Sequence, residues 1–214
     1  MPSIPYRISA WNRHRKYAKF QKFIKPIKTD RVLDVGFTEI EYSSTDNYLE
    51  RHYPWQENLT ALGVDEPVDF PNRYPKVKTV QYDGGIFPFS DKQFDICWSN
   101  AVLEHAGDFE RQLIFIKETK RVAKKVFLTT PNKFFPIEVH TRVPLLHLLP
   151  KKYFDHFLRL IGKDWATGDY MHLLSIRDIK KLLKAADIAN YQILRNRLLF
   201  FTLDFVIIWS DENS

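Results

Sequence analysis

The chain has 214 residues, 44% hydrophobic and 27% charged, which is enough for one folded domain with a core of its own. A single cysteine, Cys97, excludes an internal disulfide and a cysteine-built zinc site and fits a reducing, cytoplasmic compartment. The formal charge of +6 is concentrated in a basic run over residues 7–28; the expectation is no export signal, and no apolar stretch approaches the ~20 residues of a membrane span.

Residues 1–30 are expected to form a basic amphipathic helix, because Tyr17, Phe20 and Ile24 recur at helical spacing with cations between them. The basic face reads first as solvated. Attraction to a membrane surface or an anionic acceptor is the second reading, and nucleic acid is the least favoured. A strand over 31–36 then ends in Gly36, and the polar segment through Ser43, Ser44 and Asp46 leads towards a helix. Apolar runs at 59–64, 77–82, 94–98 and 125–129 predict four more strands, the fourth strand of the chain being followed by a helix with Leu113, Ile116 and Val122 on one side.

After Pro131 the pattern changes to an aromatic, proline-rich stretch with a helix around Tyr153, Phe154, Phe157 and Leu160. Residues 132–175 therefore read as an insertion, either a lid over an acceptor or a satellite core or dimer face. A helix over 176–186 and runs at 191–194 and 199–208 complete the chain as an antiparallel pair. The alternation predicts a Rossmann-like, doubly wound α/β fold: a mostly parallel seven-stranded sheet with an antiparallel terminal strand, within one domain spanning 1–214.

In such a sheet the ligand lies beyond the carboxyl ends of the strands, so Asp34, Gly36, Asp65, Asp83 and Asn100 are the informative residues. The loop from Gly36 through Thr38 to Glu41 has too few glycines to cradle a pyrophosphate, and the phosphate-loop pattern of nucleoside triphosphatases is missing. Asp34 lies inside an apolar run and needs donors or a cation; capping of nearby amides and a role beside a cationic cofactor both meet that need. Asp65 is placed either to accept from ribose hydroxyls or to form a turn before Pro67. No metal site is predicted.

Four strings carry a resemblance: Val32-Leu-Asp-Val-Gly36, Gly63-Val-Asp65, Tyr82-Asp-Gly-Gly85, and the stretch from Phe87-Pro-Phe through Phe94-Asp-Ile to Leu103-Glu-His105. In order and spacing they resemble the type 11 branch of class I methyltransferases, which use S-adenosylmethionine. The resemblance covers roughly residues 31–131. It implies that Asp34 and Gly36 line the methionine end of the cofactor, Asp65 binds ribose, Asp83 with Gly84 meets adenine, and Asn100 closes the pocket. Thr38 departs from the pattern, standing where the family commonly has a second glycine, and the stretch from Gly36 to Asp65 is longer than usual.

The extended loop, with Thr129-Thr-Pro-Asn132 and Phe135-Pro-Ile-Glu-Val-His140, looks similar to members associated with glycan and polysaccharide biosynthesis. That likeness implies a small-molecule, saccharide or lipid-linked acceptor. His140 and His105, with His172, are the candidate bases, and Glu104 and Glu138 their acid companions. In this family the Glu-His pair is often structural. A noncatalytic binding or scaffold protein is the alternative, an RNA methyltransferase the weaker one, and an oligomer is compatible with either.

Overall fold

The computed structural model describes residues 4–137, 141 and 143–211. Among them, strands β1 (Val32–Val35), β2 (Leu59–Gly63), β3 (Lys78–Gln81), β4 (Phe94–Asn100), β5 (Ala123–Pro131), β6 (Tyr191–Leu198) and β7 (Phe201–Ser210) form one sheet in the order β3-β2-β1-β4-β5-β7-β6. The first five are parallel, and β7 runs antiparallel to both β5 and β6. This is the expected Rossmann-like architecture. The order reverses between β1 and β4, which opens a crevice at their carboxyl ends.

Helices cover both faces, which is why all four residues of β1 are buried and the strand reads as a continuous apolar run. Helix α1 (Ile4–Ile24) covers one face: Phe20 meets Trp98 edge-on at 5.0 Å, and Trp98 stacks on Phe127 at 5.0 Å. Across the sheet, α4 (Phe109–Val122) and α6 (Ile176–Ala185) set Phe115, Ile116, Leu182 and Leu183 into one core with Leu33, Cys97 and Val126. A reciprocal capping box between Ser175 and Asp178 starts α6.

The polar segment after Gly36 leads into the expected helix, α2 (Tyr48–His52), a single turn preceded by Asn47 in the left-handed region at φ 48°. One local expectation changes. The basic face of α1 is not wholly solvated, because Lys16 and Asn12 are buried against the sheet. The short helix α3 (Phe70–Arg73) carries the chain between β2 and β3.

Within 132–175, α5 (Lys151–Leu160) builds a small separate core from Phe154 and Leu158 with Val143, Ala166 and Met171. A backbone bond from Lys133 to Leu174 closes this insertion on itself, and bonds from Asn132 to Leu203 of β7 and from His172 to Glu104 hold it to the rest of the domain. Among the described residues no helix is long and apolar enough to cross a membrane. Glu138 and His140 lie outside the described residues.

Candidate cofactor site at the strand ends

Asp34 stands in β1 one residue before its end, paired in register with Ala61 on β2 and Trp98 on β4. Its buried carboxyl meets that of Glu50 on α2, which is fully buried. No amide or cationic side chain of another described residue donates to Glu50, whose partner is the Asp34 carboxyl. Desolvation raises the pKa of Asp34, the charge of Glu50 raises it further, and Arg13 on α1 works in the opposite direction. Glu50 is raised chiefly by burial as well. A buried carboxyl pair of which Glu50 lacks donors holds a proton that a solvated carboxyl would lose, or else attracts a further cation.

Gly36 turns the chain at φ 111°, and a Cβ there would sit 2.2 Å from Val102 Cγ2. Its amide donates to Leu62 O at 2.7 Å, fixing the exit from β1. The loop that follows lacks the second glycine and is held instead by Asn47. The Asn47 side chain accepts from the Thr38 amide at 2.9 Å and donates to Thr38 O at 2.8 Å and to Glu41 at 2.9 Å. Tyr74 donates to the same Glu41 carboxylate at 2.6 Å, and Arg51 pairs with it. These bonds replace glycine flexibility with a fixed polar frame.

Asp65 is exposed just past β2, and its Oδ2 accepts from the Glu39 amide at 3.1 Å. This bond braces the loop after β1 rather than a local turn before Pro67, and it leaves the carboxylate exposed. Asp83 makes a tight turn by accepting from the Gly85 amide at 2.9 Å, with Gly84 at φ 87° between them. Asn100 ends β4, and its Oδ1 accepts from Thr129 at 2.8 Å and from Lys16 at 3.1 Å.

Lys16 also forms a buried ion pair with Asp204 of β7 at 3.1 Å, and Asn12 donates to the same carboxylate. Arg13, one residue after Asn12, lies in the field of Asp46, Asp34, Glu104 and Asp204; burial lowers its pKa while those four carboxylates oppose the shift. Thus α1 sets Arg13 and Lys16 beside the acids and amide at the strand ends. Sequence reasoning passed over Glu50, Asn47, Arg13 and Lys16. Only the positions of Asn12 and Lys16, four apart on one helical face, were a usable signal.

Of the candidate bases, His105 and His172 lie among the described residues. His105 Nδ1 bonds Tyr170 O at 2.8 Å, and its ring meets the Tyr170 ring at 5.0 Å, tying the turn after β4 to the insertion. Glu104 is fully buried and accepts from Thr130 Oγ1 at 2.9 Å. The backbone amide of His172 donates to Glu104 O at 2.7 Å. Among the described residues no group of three or more histidine, cysteine or acidic side chains is arranged to hold a metal ion.

Residues 47–126 match the family model described as a methyltransferase domain. The match covers less than half of the chain. The matched stretch of that domain includes Glu50, Asp65, Asp83 and Asn100 but begins after Asp34 and Gly36. Solved structures show the same fold. The YcgJ protein of Bacillus subtilis is 17% identical, with 85% of this chain and 71% of that one covered at a TM-score of 0.56. A SAM-dependent methyltransferase of Aquifex aeolicus is 16% identical over 90% and 87% of the two chains at 0.54. The 1,6-didemethyltoxoflavin-N1-methyltransferase of Burkholderia thailandensis, solved with its substrate and S-adenosylhomocysteine, is 12% identical over 92% and 76% at 0.56. No curated protein matches the chain.

Proposed function

We propose that the protein is an enzyme that transfers a methyl group from S-adenosylmethionine to a small-molecule, saccharide or lipid-linked acceptor. The observation that carries this reading is the Asp34–Glu50 carboxyl pair, buried where the sheet order reverses, with Glu50 short of donors. The methionine end of the cofactor is cationic at its ammonium and its sulfonium, a charge that such a pair attracts, as Asp34 already does that of Arg13. Asp34 and the Gly36 turn would hold that end. Asp65 would accept from the ribose hydroxyls, Asp83 and the Gly84 backbone would meet adenine, and Asn100 would close the pocket from β4.

The bound cofactor supplies an electrophilic methyl carbon whose leaving sulfur loses its positive charge. The chain's part is to align an acceptor with that carbon, exclude water and take up a proton where the acceptor has one to lose. The insertion at 132–175 is the proposed lid, with His140 inside it. His105 remains a proposed base, and its bond to Tyr170 would couple it to movement of that lid. The small-molecule ligand of the Burkholderia enzyme supports a small acceptor, and the loop resemblance supports a saccharide or lipid-linked one. A lone, buried Cys97 agrees with a cytoplasmic setting.

A noncatalytic role is the second reading, favoured by one feature: Lys16 already occupies the Asn100 side chain. Incubation of the protein and methyl-labelled S-adenosylmethionine with a cell extract separates the readings. Label in the aqueous saccharide or solvent-extracted lipid fraction, lost with heat-denatured protein, is the expected result. Label in neither fraction, with folded protein present, overturns the enzymatic reading.

A further inference from the structure

The hairpin between β6 and β7 turns through two residues, Leu199 and Phe200, since Leu198 pairs directly with Phe201. Two-residue hairpin turns favour asparagine and glycine, which tolerate positive φ and water. Here Leu199 stands at φ 54°, 83% exposed, and Phe200 is 94% exposed. A bulky apolar residue held in the left-handed region at a fully solvated tip costs free energy twice, in backbone strain and in hydration.

The tip is braced rather than loose: Asn132 donates to Thr202 O at 2.9 Å, and the Phe135 and Phe201 rings meet at 6.5 Å. Beside it, Trp11 of α1 is exposed, and Arg7, Ile8, Trp11 and Leu198 line a shallow groove of about 340 Å³. Arg15 lies 4.3 Å from the Trp11 ring and donates to Arg197 O at 2.7 Å. Arg7 and Arg197 are exposed on the same margin. Neither α1 nor the stretch 188–203 contains a carboxylate, so nothing within these two segments neutralises the cations.

We propose that the β6–β7 tip and Trp11 insert into the interfacial region of an anionic lipid bilayer, with Arg7, Arg15 and Arg197 contacting the headgroups. A convex wedge of two consecutive apolar side chains needs no complementary pocket in a bilayer, whereas a second copy of the chain would have to supply one. Tryptophan and arginine around an apolar tip match the layering of an interface, apolar below, amphipathic and cationic at headgroup depth. The same end of the molecule carries the open ends of β1 and β4. Insertion would therefore set that crevice against the lipid surface, the placement a lipid-borne acceptor requires. The membrane contact itself stands whether or not the crevice holds a cofactor.

Sedimentation of the full chain with vesicles tests this, using phosphatidylcholine alone and a phosphatidylcholine–phosphatidylglycerol mixture. The wild type is expected to pellet with the mixed vesicles and to be released by salt. Leu199→Ser with Phe200→Ser, and separately Arg7→Glu with Arg197→Glu, should each lower the bound fraction at least about tenfold while the thermal melt stays that of the wild type. Phe200→Ser alone serves if the double serine variant does not fold. Absence of binding to either vesicle overturns the proposal, as does undiminished binding by the folded variants. A wild-type dimer that the serine variant converts to monomer, without vesicle binding, assigns the tip to a second copy instead.

Discussion

The carboxyl groups of Asp34 and Glu50 meet in the interior at the end of β1, and Glu50 has no exposed surface. Both are raised, first by desolvation and, for Asp34, next by the neighbouring charge. Above the unfolded carboxylate range, near pH 4, the folded pair keeps protons that the unfolded chain has lost, so this contribution to stability falls as pH rises through the raised values. Glu50→Gln removes one of the two acids. It should stabilise the fold by about 1–3 kcal/mol near pH 8 and by much less near pH 5, measured by urea denaturation at both. An equal effect at the two pH values contradicts the pairing.

The Lys16–Asp204 ion pair is buried on both sides, and Asn12 adds a hydrogen bond to its carboxylate. Removing one partner of such a pair leaves the other charge uncompensated, typically at a cost of about 3–5 kcal/mol. Lys16→Met should therefore destabilise the protein by that order in chemical denaturation. Adding Asp204→Asn should restore more than half of the loss, because no orphan charge then remains. Additive losses would show that the two side chains act independently.

Asn47 has two separable roles: a left-handed backbone at φ 48° and three side-chain bonds that frame the loop 37–47. Asn47→Gly keeps the backbone conformation and loses the bonds. Asn47→Ala loses both, and should be less stable than the glycine variant by about 1 kcal/mol. Cofactor affinity should fall alike in both variants, since each frees the Thr38 amide and carbonyl. Thermal melts and titrations of the two proteins check this, and an alanine variant as stable as the glycine one removes the backbone argument.

The strands were legible in the sequence because β1, β2, β4 and β5 are apolar runs ended by Gly36, Asp65, Asn100 and Pro131, and burial on both faces leaves that pattern. Asp34 was legible for the converse reason, a carboxylate inside such a run. Glu50 and Lys16 were not. Each is a charged residue in a polar-looking stretch, and only the folded chain shows that α2 turns Glu50 towards Asp34 and that α1 turns Lys16 towards Asp204. The helix expected after Ser43 begins only at Tyr48 because side-chain bonds from Asn47 and Asp46 hold the loop before it in a non-helical path.

Asp65 combines a bond to the Glu39 amide with an exposed carboxylate at the crevice. Asp65→Ala should weaken S-adenosylmethionine binding by about 1–3 kcal/mol, the cost of losing charge-assisted hydrogen bonds to ribose. Asp65→Asn keeps an acceptor for the amide and should recover the thermal stability but not the affinity. Unchanged affinity in the folded alanine variant would confine Asp65 to bracing the loop.

The most direct measurement is a calorimetric titration of the full chain with S-adenosylmethionine and with S-adenosylhomocysteine. Saturable binding of both in the micromolar range, weakened in Asp34→Asn, is expected from a crevice built on the Asp34–Glu50 pair and the strand-end acids. No heat with either ligand, from protein whose circular dichroism and melting show it folded, would contradict the assignment of this crevice to the cofactor.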